Sequence, residues 1–167
     1  MASMYQISVS VYIRRLDGLA GCLKKAQAHY AEKKYDETSL MKQRLFPDMY
    51  PFARQVQVAT DHARASAALL AGLEPPTYEA DEKTIAELIA RVERSVAYLN
   101  TFKPEQIDGS EGKTITVKRG GADMSFSGLD LLLHSSMSNF YFHTTTAYAI
   151  LRSNGVPLIK RDFSGPA

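Results

Sequence analysis

The sequence predicts an all-α domain: a four-helix bundle with a short β-hairpin before its last helix. Three observations carry this expectation. Apolar residues recur at three- and four-residue steps along four long segments, each with a single apolar face. A two-residue period replaces that pattern only around Gly120–Gly121. Helices with one apolar face bury it against one another around a common core. The 167 residues, 45% of them hydrophobic, suit one domain over residues 1–167 with a sizeable core. No internal repeat, low-complexity stretch or domain boundary interrupts it.

In the first helix, Tyr5, Tyr12, Leu19 and Ala26 form one seven-residue series, and Val9, Leu16, Leu23 and Tyr30 form another. Gly18 and Gly21 weaken it locally and leave room for a close neighbour. Cys22 reads as a small core residue. A short helical turn is expected within Asp36–Phe46, around Leu40, Met41 and Leu45. Pro51 suits the first turn of the second helix, which runs to about Leu70 and stops at Gly72. Gln55, Val58, Ala59, His62, Ser66, Leu69 and Leu73 share one side of it.

The third helix repeats Ile85, Leu88, Ile89, Val92, Val96 and Leu99. Thr84 with Glu87 has capping-box spacing, although Asp81 could start the helix earlier. Next, Ile115 and Val117 alternate with polar residues, as do Met124 and Phe126. Gly120–Gly121 can supply the positive φ angles of a two-residue turn. Counting outward pairs Arg119 with Ala122, Lys118 with Asp123, Val117 with Met124 and Ile115 with Phe126, so apolar faces apolar and opposite charges meet. Ser127 caps the fourth helix, which ends at Asn154–Gly155 before Pro157. The tail Leu158–Ala167 is expected to be extended and packed at Leu158, Ile159 and Phe163.

That fourth helix carries a polar stripe on its apolar face. Taking His143 as the reference direction, Leu132, Ser136, Asn139, Ala147, Ile150 and Leu151 fall on or near the same side. Burying polar groups without partners costs about 1–3 kcal/mol each, so Ser136, Asn139 and His143 need either a hydrogen-bond network or a site. If helices two and four are neighbours, His62, Asn139 and His143 converge, with Gln55 and Ser136 lining the pocket. Neutral imidazoles favour zinc, nickel, copper or iron, and bundle interiors build metal sites from facing helices. A catalytic metal takes about three protein ligands, and an amide is a poor third. His134 lies on the opposite side of the helix, His29 reads as a surface residue, and Asp61 as a solvated acid near Arg64 or Arg54.

Other classes find little support. Twenty basic against eighteen acidic residues leave a charge of +2, too balanced for a nucleic-acid footprint. No phosphate-binding glycine loop and no nucleophile elbow occurs. One cysteine allows no intramolecular disulfide. Met1–Ser10 lacks a signal-peptide pattern, and no apolar run is long enough for a membrane. The chain reads as soluble and cytoplasmic. Phe140–Tyr141–Phe142 puts aromatics on several sides of helix four, which suggests a homodimer interface.

Three stretches resemble a known family. Asn139–Phe163, NFYFHTTTAYAILRSNGVPLIKRDF, is similar to the C-terminal signature of domain-of-unknown-function family 1993; MYQISV from Met4 and LFPDMYPFARQVQ from Leu45 resemble the same family. The resemblance covers essentially the whole chain. It implies the DinB/YfiT-like superfamily of candidate metalloenzymes, four-helix bundles with a hairpin-like insertion before helix four. Members of that superfamily hold a divalent metal with one histidine on helix two and a His-x-x-x-His pair on helix four; some are thiol-dependent transferases or isomerases. His62 matches the helix-two position and His143 one of the pair. The other falls on Asn139 or Ala147, so the third histidine is absent. Two readings follow. One is a divergent metal-dependent hydrolase or transferase, with zinc or nickel held weakly by His62, His143 and Asn139. The other is a non-catalytic small-ligand-binding or dimerisation module whose buried His/Asn network is structural.

Overall fold

The structure, a computed structural model, describes residues 2–165 and is mostly helical, with one antiparallel hairpin. The first helix is broken near its start. Helix α1 (Met4–Ile7) and α2 (Val9–Lys33) meet at Ser8, whose backbone leaves the helical region and whose hydroxyl donates to the Met4 carbonyl at 2.6 Å. Along α2 both heptad series point inward: Val9, Tyr12, Leu16, Leu19, Leu23, Ala26 and Tyr30 are buried, whereas Tyr5 in α1 is only half-buried. Helix α3 (Glu37–Met41) is capped by Asp36, and Leu40 and Met41 anchor it; Leu45 lies beyond it, exposed. Helix α4 (Phe52–Leu70) starts at Pro51 and ends before Gly72, whose φ of +74° only glycine takes without strain. Leu73, placed on its inner face by periodicity, is past that turn and exposed.

Helix α5 (Ile85–Leu99) begins at Thr84 with both halves of the capping box formed. The short α6 (Pro104–Ile107), absent from the periodicity reading, leads to the hairpin of β1 (Thr114–Arg119) and β2 (Ala122–Ser127). Its register is the one counted from the glycine pair, Ile115 opposite Phe126 and Val117 opposite Met124. Gly120 and Gly121 have φ of +56° and +85°.

The last long helical stretch is not uniform. After α7 (Gly128–Asp130), residues Leu131–Met137 form a π segment, and α8 (Ser138–Ser153) follows. The wider turn brings Ser135 and Ser136 inward together, while Leu133 and His134 face solvent. Gly128 is packed so tightly that a Cβ there would run into the Ser110 carbonyl. The tail corrects the sequence expectation: instead of an extended strand it forms α9 (Lys160–Ser164), and Ile159 is 62% exposed. Leu158 is buried and Phe163 half-buried; the last two residues of the expected tail lie outside the described residues. Gly18 accounts for the fit, since a Cβ there would lie 2.9 Å from the Phe163 carbonyl oxygen.

Helix α2 packs on α5, and α4 packs on both α5 and α8, so helices two and four of the sequence reading are neighbours. The connector 71–84 between α4 and α5 is held by buried charge. Arg91 donates to Thr60 Oγ1, the Glu79 carbonyl, Glu82 and Asp61; Arg64 donates to the Pro76 carbonyl and Asp61. The guanidinium of Arg64 lies 3.5 Å from the centroid of Tyr78 and that of Arg94 4.0 Å. Asp61 does pair with Arg64, as its spacing suggested, but it is more than a solvated acid, because it bridges Arg64 and Arg91. His29 is also not a plain surface residue; it is half-buried against Tyr30 and Tyr35. Among the described residues no helix is long and apolar enough to cross a membrane.

Candidate functional site

Helix α4 offers Gln55 and His62, two turns apart, and α8 offers His143 from the facing side. Packing of α4 on α8 brings the two imidazoles into near-parallel alignment, 12° between planes and 6.1 Å between centroids. His143 is 7% exposed and His62 half-buried. Two imidazoles on one zinc ion would have centroids about 5 Å apart for tetrahedral coordination at normal Zn–N lengths.

The His143 ring is enclosed on several sides. Tyr50, in the loop before α4, lies over it at 6.2 Å and 22°, and Phe142 meets it edge-on at 5.2 Å. Gln55, fully buried, places Oε1 2.7 Å from His143 Nδ1 and donates from Nε2 to the Tyr50 carbonyl at 2.9 Å. Burial, with smaller contributions from His62 and from the charge of Arg54, pushes the His143 pKa down to about 4. The ring is therefore neutral at physiological pH.

Of the remaining sequence candidates, Asn139 is half-buried and donates its amide to the Ser135 carbonyl at 2.8 Å, a bond within its own helical stretch. Ser136 is buried beside Tyr12. Burial pushes the Tyr12 phenol up, and the nearby Ser66 and Ser136 hydroxyls offset part of that rise. None of these contacts has normal hydrogen-bond geometry: the Tyr12 and Ser66 hydroxyls are buried without a bonded partner among the described residues. Phe140 meets Tyr12 edge-on at 4.9 Å. His134, with 78% of its side chain exposed, stands on the outer face near Asp130, as its helical phase requires.

A metal is implied by the superfamily resemblance, and the donor set tests it. His62 and His143 supply two ring nitrogens. No group of three or more His, Cys, Asp or Glu side chains converges among the described residues. The site therefore falls short of the three protein ligands that a resident catalytic metal takes, and fits at most a weakly held ion. Sequence reasoning put Gln55 on the same face of its helix as His62, but not its pairing with His143, which depends on how two helices meet. It also passed over Arg91 and read Arg64 only as a neighbour of Asp61; no helical pattern signals the burial of either.

Residues 4–164 match the family described as "Domain of unknown function (DUF1993)". The fold is similar to the crystal structure of a DinB family member protein from Shewanella denitrificans, with 33% sequence identity and a TM-score of 0.88; the match covers 98% of this chain and 92% of that one. No curated protein matches.

Proposed function

The chain belongs to the domain of unknown function family DUF1993 and has a DinB-like fold, and from that premise we propose that it is a small-ligand-binding protein whose site is the paired His62 and His143. The long helices act as one four-helix bundle that sets α4 against α8 and so fixes the imidazole pair. The observation that carries this reading is the neutral, enclosed His143, hydrogen-bonded through Nδ1 to Gln55 and stacked against His62. With its ring neutral at physiological pH, His143 keeps one nitrogen lone pair to offer a ligand. Zinc or nickel is one such ligand, held weakly because only two imidazoles face it.

A metal-dependent hydrolase or transferase is the second reading. The proximity of His62 and His143 favours it, and the two-imidazole donor set weighs against it. The chain assembles as a homodimer in either case, through the exposed rings of Phe142 on α8 and Tyr50 in the loop before α4.

Metal titration separates the two. Tag-free protein is dialysed against zinc or nickel, and bound metal is measured per chain. The expected result is weak, substoichiometric binding that His62→Ala or His143→Ala abolishes. Asn139→His adds a third imidazole one turn from His143 and is expected to bind zinc more tightly than wild type. Tight stoichiometric metal in the natural protein would favour the metalloenzyme instead. No gain in Asn139→His would show that position 139 does not face the imidazole pair.

A further inference from the structure

The bonds around Gln55 decide which nitrogen of His143 carries its proton. A backbone carbonyl only accepts hydrogen bonds, so the Gln55 atom 2.9 Å from the Tyr50 oxygen is the amide nitrogen. The other amide atom, the carbonyl Oε1, then faces His143 Nδ1 at 2.7 Å. That oxygen also only accepts, so Nδ1 must donate. A neutral imidazole carries one N–H; with it on Nδ1, the lone pair lies on Nε2.

We propose that Gln55 is a positioning residue that, anchored on the Tyr50 carbonyl, holds His143 in the Nδ1–H tautomer and so makes Nε2 the atom that takes the ligand. The inference deepens the function proposed above and rests on it for the ligand step alone. It specifies the ligand class: a group that accepts an electron pair at Nε2, either a borderline divalent metal or an O–H, N–H or S–H donor. A carboxylate or carbonyl oxygen aimed at Nε2 finds no proton there. The bond from Nδ1–H to an amide oxygen is also the arrangement that orients histidine ligands generally, and loss of such a partner weakens metal binding on the order of 10–100-fold.

The loop before α4 takes part in this arrangement. Phe52 donates its backbone N–H to the Gln43 carbonyl at 2.8 Å, and Arg44 caps the Met49 carbonyl. These bonds fix the corner from which Tyr50 offers both its carbonyl to Gln55 and its ring to His143. Displacing that corner would release Gln55 and the tautomer together.

Long-range proton–nitrogen NMR spectra of uniformly labelled full chain at pH 7 report the tautomer directly. Wild type is expected to show His143 protonated at Nδ1 and bare at Nε2. Gln55→Leu, which lacks an acceptor, is expected to lose that signature and to bind zinc at least about tenfold more weakly. Gln55→Glu keeps an acceptor and should retain the Nδ1–H signature, a retention that general loosening of the core would not produce. His143 protonated at Nε2 in wild type would overturn the inference, even if Gln55→Leu failed to fold. An Nδ1–H tautomer that Gln55→Leu abolishes, with zinc leaving the His143 signals unmoved, would support the role of Gln55 and sink the ligand site itself.

Discussion

His143 has a free-solution pKa of about 6.5 and is held near 4 in the folded chain by burial, His62 and Arg54. The consequence for stability has a definite sign. Between those values the unfolded chain binds a proton that the folded chain refuses, so stability is full above pH 6.5 and falls as the pH drops towards 4. At pH 5 the loss from this residue alone is roughly 2 kcal/mol relative to neutral pH. Urea unfolding of wild type and His143→Asn at pH 7 and pH 5 checks this, because other titrating groups are common to both chains. Wild type should lose about 2 kcal/mol more than the variant on acidification; equal losses would mean that His143 titrates normally. That His62 and His143 face each other was legible in the sequence, since each occupies the apolar face of a regular helix. The Gln55 bond that sets the chemistry of His143 was not, because it joins side chains 88 positions apart through a contact set by helix packing.

Periodicity located α2, α4, α5 and the hairpin well, because each keeps one period and has explicit end signals: the Thr84–Glu87 capping box, Gly72, and Gly120–Gly121. It failed where the period itself changes. The π segment Leu131–Met137 inserts a wider turn that no regular period signals, and Ser136 within it lies near Tyr12. It failed also for buried charge, because arginine in a helix reads as a solvated face. Arg91 has no exposed side chain, and its bonds to Thr60, Glu79, Glu82 and Asp61 tie α5 to α4 and to the connector 71–84. Removing one member of such a network strands the others, at a cost of about 3–5 kcal/mol. Arg91→Met should therefore lower the unfolding free energy from urea titration by about 3–5 kcal/mol and raise amide exchange in the connector above that in α2. A near-neutral Arg91→Met would mean that solvent satisfies Asp61 and Glu82 without it.

At the scale of the whole molecule, the helix faces account for the core: with α2 on α5 and α4 on α5 and α8, most of the aliphatic and aromatic residues of the periodic stripes are buried. What they leave uncovered bears on assembly. Phe142 is 54% exposed and Tyr50 52%, and both rings touch His143, so the rim of the site is apolar and open. Large apolar side chains scattered singly on a surface are ordinary, but two aromatics bordering one buried group form a patch that a partner would cover. Burying a Phe side chain contributes roughly 1.5–3 kcal/mol, and aromatic residues are enriched at interface cores. Under the proposed homodimer, light scattering at micromolar concentration should give twice the 18.5 kDa chain mass. Phe142→Asp should reduce it to the monomer without lowering urea stability measured at high dilution, since the ring is more than half outside the core. Cover over the rim would also shield His143, so the dimer should bind zinc more slowly than the Phe142→Asp monomer. A wild-type mass of 18.5 kDa at every concentration would remove the homodimer and leave the aromatic rim as the open mouth of the ligand site.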